Sequence, residues 1–178
     1  MSYVEKTMKS DKIYEGKILN LRIDTVELPD KKYSKREIVE HSGAVAIVPI
    51  TDDGYVTLVK QYRKAIDKEL LEIPAGKIEV GEEPKSCAIR ELKEETGITA
   101  ENLEYMFEFY TSPGFSNEKL YLFMAKNLNV GEANPDTDEY IEVVKIKLED
   151  LVEKVNKGEI QDSKTIVGIL TAYQMKNK

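Results

Sequence analysis

The chain has 178 residues, of which 41% are hydrophobic and 33% charged, and 33 acidic residues against 26 basic ones give a net charge of −7. This length suffices for one globular domain with a buried core and a small appendage. The acidic balance argues against a nucleic-acid binder, no apolar run approaches the ~20 residues of a membrane span, and the single cysteine, Cys87, excludes an internal disulfide and a cysteine-rich zinc site. Because the N-terminus lacks the apolar core of a signal peptide, we expect a cytoplasmic protein.

The N-terminal part of the chain predicts β-strands. Residues 13–40 alternate polar and apolar side chains and contain turn signals, a pattern that predicts two or three strands in a small antiparallel unit. Residues 43–51, GAVAIVPIT, form an apolar run with β-branched residues, which is typical of a buried strand. After the turn DDGY, residues 55–63 predict the returning strand.

The C-terminal half predicts further strands and then two helices. Residues 103–111 and 120–125 read as strands, and a polar loop at 131–139 precedes another strand, YIEVVKIKL. A short amphipathic helix ends at Gly158, and Asp162 or Ser163 is expected to cap the last helix. Many strands with few helices predict an α/β fold, specifically an α/β/α sandwich around a mixed sheet.

The most informative segment is residues 76–98, GKIEVGEEPKSCAIRELKEETGI. Pro84 after two glutamates is typical of a helix start, and Gly97 is placed to end the helix with a positive φ. On such a helix Glu91 and Glu95 lie one above the other, with Glu94 beside them. Ala88, Ile89 and Leu92 are predicted to form the apolar stripe that faces the core.

Carboxylates gathered on one helical face repel one another unless a cation lies between them. Carboxylates without imidazole or thiolate suit hard ions such as Mg²⁺ or Mn²⁺, and Arg90 is placed to orient one of the glutamates through a charge-assisted hydrogen bond. The alternative is a solvated face with i,i+4 ion pairs, which RELKEE alone would favour.

The spacing G-x5-E-x7-R-E-U-x-E-E-x-G-U, in which U is a bulky aliphatic residue, resembles the signature of the Nudix hydrolases at every required position. The resemblance implies metal-assisted cleavage of a nucleoside diphosphate linked to another moiety, with two or three Mg²⁺ or Mn²⁺ ions, and the same α/β/α architecture. It also implies the metal-binding residues: Glu91 and Glu95 as main ligands, the carbonyl of Ala75 as a third contact, and Glu94 assisting. Glu82 would either contact the metal-binding residues without binding the metal itself or bind an additional metal.

Segments outside the signature resemble the ADP-ribose pyrophosphatase branch of this family. Pro113 lies fifteen residues beyond Ile98, and the run from Gln61 to Gly76 contains Q-Y-R and L-E-x-P-A-G. The resemblance implies hydrolysis of ADP-ribose to AMP and ribose 5-phosphate, and a homodimer. It also implies an N-terminal strand unit for dimerisation at residues 1–41 and a hydrolase domain at 42–178.

The resemblance further implies substrate contacts. Arg63 would hold a phosphate, Glu72 a ribose hydroxyl, and Tyr62 would offer an aromatic surface to the base. The terminal-ribose side would be lined by Pro113, Gly114, Phe115 and Glu118. For each of these residues an ordinary surface or packing role is the alternative.

The proton acceptor is expected in the polar loop. Glu139 is the first candidate, by resemblance to a loop glutamate that activates the attacking water, and the helix carboxylates of Glu91 and Glu94 are alternatives. Asp136, Asp138 and Glu142 compete with Glu139, because one sequence leaves the register of the loop open.

Two other functions compete with ADP-ribose hydrolysis. A nucleotide-sugar pyrophosphatase of the GDP-mannose type would keep the chemistry and change the substrate. A nucleotide-binding module without catalysis would be expected to have lost signature carboxylates, whereas this chain retains them all.

Overall fold

The computed structural model of the chain describes residues 3–134 and 140–177. The chain divides into two compact units. Unit 1 comprises Met1–Gly43 and Phe109–Leu120, and unit 2 comprises Ala44–Glu108 and Tyr121–Lys178. Unit 1 therefore combines the N-terminal segment with a stretch from the middle of the chain.

Unit 1 contains a three-stranded antiparallel sheet, as the alternation predicted. Its strands are β1 (Lys6–Glu15), β2 (Asn20–Glu27) and β3 (Tyr33–Glu40), in the order β1-β2-β3. The first strand begins seven residues earlier than the pattern indicated. Its side chains are nearly all exposed, so pairing with β2, and not an apolar face, defines it.

The other strands lie mainly in unit 2. A three-stranded sheet has the order β10-β5-β6 and a four-stranded sheet the order β7-β4-β9-β8. The bounds are β4 (Ala44–Pro49), β5 (Tyr55–Arg63), β6 (Lys68–Glu72), β7 (Ala75–Lys77), β8 (Ile98–Tyr110), β9 (Lys119–Val130) and β10 (Ile141–Lys147). The predicted strands at 43–51 and 55–63 are therefore confirmed as β4 and β5.

Helices cover both faces of β4, which makes this part of the fold the predicted α/β/α sandwich. Val45 and Ile47 pack in one cluster with Leu92 of helix α1 (Pro84–Thr96). Val48 contacts the position of Gly168 on helix α3 (Ser163–Lys176), where an added Cβ would lie 3.0 Å from it. Since successive side chains of a strand point to opposite faces, the apolar run of β4 serves two helices at once.

Helix α1 begins and ends as predicted. Pro84 occupies its first turn, and Gly97 ends it in the left-handed region with φ of 71°. One predicted core residue is wrong, because Ile89 is 51% exposed while Cys87 is buried beside Ala88. The helix contacts β4 and β7, and this orientation turns the 87–88–92 stripe inward.

The last two helices also match the predicted order. Helix α2 (Leu148–Asn156) precedes Gly158, whose φ is 73°. Asp162 caps α3, with its side chain accepting a hydrogen bond from the Thr165 N–H. None of the helices in the described part of the chain is long and apolar enough to cross a lipid bilayer.

Candidate active site

One arginine connects the acidic side chains of the 76–98 segment. The Arg90 guanidinium forms two hydrogen bonds to the Glu82 carboxylate, from Nε and Nη2, each 3.0 Å long. Its Nη1 donates to Glu91 at 2.7 Å and to Glu94 at 3.0 Å. Three of the predicted site carboxylates therefore meet at one cation, which offsets their mutual repulsion.

These contacts change the titration of Glu82. Hydrogen bonds from Arg90 hold the pKa of the Glu82 carboxyl at about 2, against the smaller opposing effect of burial. Hydrogen bonding to Glu82 in turn raises the pKa of the Arg90 guanidinium. Glu82 and Arg90 therefore both carry charge at neutral pH, and their pair is a charge-assisted, two-point contact.

Gly76 leaves the space that the Glu91 carboxylate occupies. A Cβ built on Gly76 would lie closer than 3.0 Å to all three atoms of the Glu91 carboxyl group. Gly76 belongs to β7 and pairs with Val45 of β4, so the carboxylate of the helix lies directly against the backbone of the sheet. The glycine of the motif is required here by close approach, because its φ is not positive.

Glu95, one turn beyond Glu91 on the helix, is also held by β7. Glu95 is 3% exposed, and its Oε2 accepts a hydrogen bond of 3.1 Å from the Ala75 N–H. The predicted metal-binding residues Ala75, Glu91 and Glu95 are thus brought together where α1 faces β7. Glu94 lies one turn from Arg90 on the same face of the helix.

Among the described residues, no three or more acidic, histidine or cysteine side chains are arranged as a ready ligand group. Arg90 lies between Glu91 and Glu94 and makes the contacts that a cation would make. The donor set nevertheless fits a hard divalent ion, because it consists of carboxylate and backbone oxygens. Glu91, Glu95 and the carbonyl of Ala75, with Glu94 beside them, are the residues that would hold it.

A second charged cluster lies at the end of β5. Arg63 donates from Nε and Nη2 to the two carboxylate oxygens of Glu72, both at 2.7 Å. Burial would raise the pKa of the Glu72 carboxyl, but the hydrogen bonds and charges of Arg63 and Lys164 together lower it. Glu95 is among the charges that act on Arg63, so this cluster adjoins the acidic face of α1.

Lys164 is a member of this cluster that the sequence did not reveal. Its ammonium group contacts Glu72 Oε2 and, at 3.0 Å, Asp162 Oδ1. The D-S-K-T run at the start of α3 predicts only a capping residue. Since 92 residues separate Lys164 from Glu72, only the docking of α3 next to β6 brings the two together.

The remaining predicted substrate residues occupy other positions. Tyr62, in unit 2, is 52% exposed, and its hydroxyl donates to Asp67. Phe115, in unit 1, is 58% exposed, and its carbonyl accepts from the Val39 N–H. Glu118 accepts a hydrogen bond of 2.6 Å from Thr111. Pro113 and Gly114 lie in the same part of unit 1.

The predicted base lies outside the described residues. Glu139, together with Asp136 and Asp138, belongs to residues 135–139, whereas Glu142 lies on β10 opposite Lys60. Residues 131–134, which precede the residues outside the description, are hydrogen-bonded to the end of α1. The Asn134 N–H donates to the Glu94 carbonyl at 3.0 Å, and the Gly131 N–H donates to the Gly97 carbonyl at 2.8 Å.

Two family models match the chain. Residues 40–166 match the NUDIX domain, and residues 5–39 match the nucleoside diphosphate sugar hydrolase N-terminal domain. The crystal structure of an ADP compounds hydrolase has the same fold, with a TM-score of 0.86 at 20% identity over 98% of this chain and 96% of that chain.

Curated relatives match over nearly the whole chain. The ADP-ribose pyrophosphatase of Bacillus subtilis is 48% identical, covering 94% of this chain and 92% of its own. The methanol dehydrogenase activator of Bacillus methanolicus is 43% identical, with 94% and 91% covered. The GDP-mannose pyrophosphatase of Cronobacter sakazakii is 34% identical, with 88% and 89% covered.

Proposed function

The chain belongs to the Nudix hydrolase family, and from this premise we propose that it hydrolyses the diphosphate bond of ADP-ribose to AMP and ribose 5-phosphate. The observation that carries the proposal is the placement of the Glu91 carboxylate against Gly76, with Glu95 bonded to the Ala75 N–H. It puts the acidic face of α1 against β7, so that carboxylate oxygens lie beside the backbone of the strand. The name of the 48% identical relative supports ADP-ribose as the substrate.

The family generally uses a divalent metal, and Mg²⁺ is the ion that we propose here. Bound to Glu91, Glu95 and the Ala75 carbonyl, with Glu94 assisting, two or three such ions would neutralise the diphosphate and acidify a water molecule. Mn²⁺ has the same ligand preference and is the expected substitute.

The chain's own residues then bind the substrate and move the proton. Arg63 offers a guanidinium to a phosphate oxygen, and Glu72 fixes the plane of that guanidinium. Water oxygen forms a new bond to one phosphorus, the bridging P–O bond breaks, and the leaving phosphate takes the electron pair. The proton of the water passes to a carboxylate, for which Glu139 is our first candidate.

The second candidate substrate is a nucleotide sugar of the GDP-mannose type. The name of the 34% identical relative and that of the matched N-terminal domain favour it. A panel of ADP-ribose, GDP-mannose, NADH and a dinucleoside polyphosphate, each assayed with Mg²⁺, separates the two. We expect the highest kcat/KM with ADP-ribose, and a higher value for GDP-mannose would replace the first proposal with the second.

A binding module without catalysis is tested by the same panel. We expect turnover with Mg²⁺ that disappears when EDTA removes the metal and returns when Mg²⁺ is added in excess. Tight binding of ADP-ribose by a metal-loaded protein that cleaves none of the four compounds would refute hydrolysis and support the binding module.

We also propose a homodimer built on residues 1–41. Exposed apolar side chains are frequent in this segment, among them Met8, Ile13, Tyr14 and Tyr33. Strand β1 is a ten-residue edge of its sheet, and long open edges usually require a cover. Light scattering during size exclusion should give twice the 20.3 kDa of one chain, and a mass of one chain would contradict the proposal.

The remaining expectations concern location and partners. A cytoplasmic location is compatible with Cys87, which is a free thiol buried in the core. A nucleoside diphosphate sugar is the expected small-molecule partner, and we expect no nucleic-acid partner because the net charge is −7.

A further inference from the structure

Glu72 is a buried carboxylate that two cations share. It is 1% exposed, and both of its oxygens accept hydrogen bonds from Arg63. The Lys164 ammonium group contacts one of the same oxygens. One carboxylate thus faces two positive charges, whereas a single cation is enough to balance its charge.

Lys164 is itself nearly buried, unlike most lysines. Its side chain is 13% exposed, and its other acidic partner is Asp162 at 3.0 Å. Asp162 also accepts hydrogen bonds from the N–H and the hydroxyl of Thr165, at 2.9 and 2.6 Å. The contacts with Asp162 and Glu72 fix the position of the Lys164 ammonium group at the start of α3. Its positive charge therefore stays next to the Glu72 carboxylate.

Arg63 is the more exposed of the two cations. Its side chain is 40% exposed, and its Nε and Nη2 are used by Glu72. Within the described part of the chain, Nη1 has no hydrogen-bond acceptor among the contacts of Arg63. Nη1 is therefore the part of the guanidinium that can donate to a ligand.

We propose that Lys164 is a positioning residue of the substrate site, which balances the buried charge of Glu72 so that the positive charge of Arg63 acts on the substrate diphosphate. With Lys164 present, Glu72 fixes the plane of the guanidinium without cancelling its charge. Without Lys164, the carboxylates of Glu72 and Asp162 would face Arg63 alone, and the cluster would attract an anion less. This inference rests on the proposed function only in taking a diphosphate as the ligand.

The test compares three lysine variants. Lys164→Met keeps the length and the apolar stem and removes the charge, whereas Lys164→Arg keeps a charge. Lys157→Met removes the same charge from an exposed i,i+4 pair with Glu153 and serves as the matched control. For Lys164→Met we expect KM to rise about tenfold, the effect of one charge-assisted interaction, with kcat changed less than about threefold.

Binding of ADP, measured by titration calorimetry with Mg²⁺, gives a readout without turnover. We expect the ADP Kd to rise about tenfold for Lys164→Met and to stay within about twofold of wild type for Lys164→Arg and Lys157→Met. A wild type that binds ADP but hydrolyses nothing in the panel would refute the proposed function and leave this inference standing. An unchanged KM and ADP Kd in Lys164→Met would refute the inference alone.

A double variant shows whether Lys164 acts through Glu72. In the Glu72→Gln background there is no buried charge to balance, so adding Lys164→Met should change the ADP Kd by less than about twofold. A tenfold change in that background would mean that the Lys164 charge acts on the ligand independently of Glu72 and would overturn the positioning role. If Lys164→Met alone folds poorly, the double variant is still expected to fold, because removing both partners of a buried ion pair costs less stability than removing one.

Discussion

Replacing Gly76 by alanine isolates the packing between β7 and the carboxylate of Glu91. The new methyl group would lie closer than 3.0 Å to the carboxyl carbon and to both carboxylate oxygens. The carboxyl carbon must withdraw by more than about 1 Å to reach the 3.4 Å of ordinary van der Waals contact. The side chain can move only by leaving the position from which it would bind a metal.

The expected effect is large on activity and small on stability. A misplacement of about 1 Å at a reacting centre can cost roughly 100-fold in rate, and we expect kcat/KM of Gly76→Ala to fall by that amount. The backbone at Gly76 has no positive φ, so alanine is conformationally compatible. Stiffening of the unfolded chain, worth about 0.5 kcal/mol, offsets part of the cost of moving Glu91. The melting temperature should stay within about 4 °C of wild type.

The assay combines steady-state kinetics over a range of Mg²⁺ concentrations with thermal unfolding followed by circular dichroism. Gly158→Ala is the matched control, because Gly158 has a φ of 73° and no neighbour within 4 Å of an added Cβ. This control should lose about 1 kcal/mol of stability and keep its activity. Gly76→Ala should show the opposite pattern, together with a higher Mg²⁺ requirement.

A kcat/KM of Gly76→Ala within about threefold of wild type, together with a loss of activity in Glu91→Gln, would refute this role of Gly76. That result would mean that the Glu91 carboxylate acts from a position away from Gly76. Strongly non-additive losses in the Gly76→Ala/Glu91→Gln double variant would support the packing of the Glu91 carboxylate against Gly76, since both changes then remove the same interaction.

Three further predictions follow from the same cluster. Glu95→Gln should lower kcat at saturating Mg²⁺ by at least about 100-fold with an unchanged circular dichroism spectrum, and near-wild-type turnover would refute its role at the metal. The pKa of Glu82 is about 2, below the ordinary 4.5, through hydrogen bonds from Arg90, so this pair stabilises the fold above pH 4.5 and the contribution is lost as the pH falls towards 2. The destabilisation by Glu82→Gln in urea titrations, about 1 kcal/mol or less at this partly exposed pair, should therefore shrink over that range. Burial, and next the charge of Glu82, raise the pKa of the Cys87 thiol to about 12, so Cys87 should react with a thiol reagent at pH 8 only in denaturant, and rapid labelling of the native protein would contradict its burial.

Helix α1 is the element that could be predicted most completely. Its bounds follow from Pro84 and Gly97, because both residues restrict the local backbone without help from the rest of the fold. The orientation of the helix on the sheet was harder to predict from the sequence. Cys87 and Ile89 flank Ala88 on opposite sides of the helix, and which of the two is buried depends on the angle at which the helix lies on β4 and β7.

The substrate side of the site was less predictable than the helix. Arg63 and Glu72 were both singled out, but as separate contacts, and their two-point ion pair depends on the antiparallel pairing of β5 with β6. Lys164 was missed because nothing in its local sequence distinguishes it from a solvent-exposed lysine at a helix start.

By itself the sequence determined the family, the acidic helix and the alternation of strands, because each depends on residues that are near one another along the chain. Only the tertiary structure decided which side chains form ion pairs and which pack against each other. Gly76 receives the Glu91 carboxylate across the β7–α1 contact, and Glu72 acquires its second cation from a helix 92 residues away. Such contacts arise when helices and strands pack together, and the geometry of that packing cannot be predicted from a local sequence pattern.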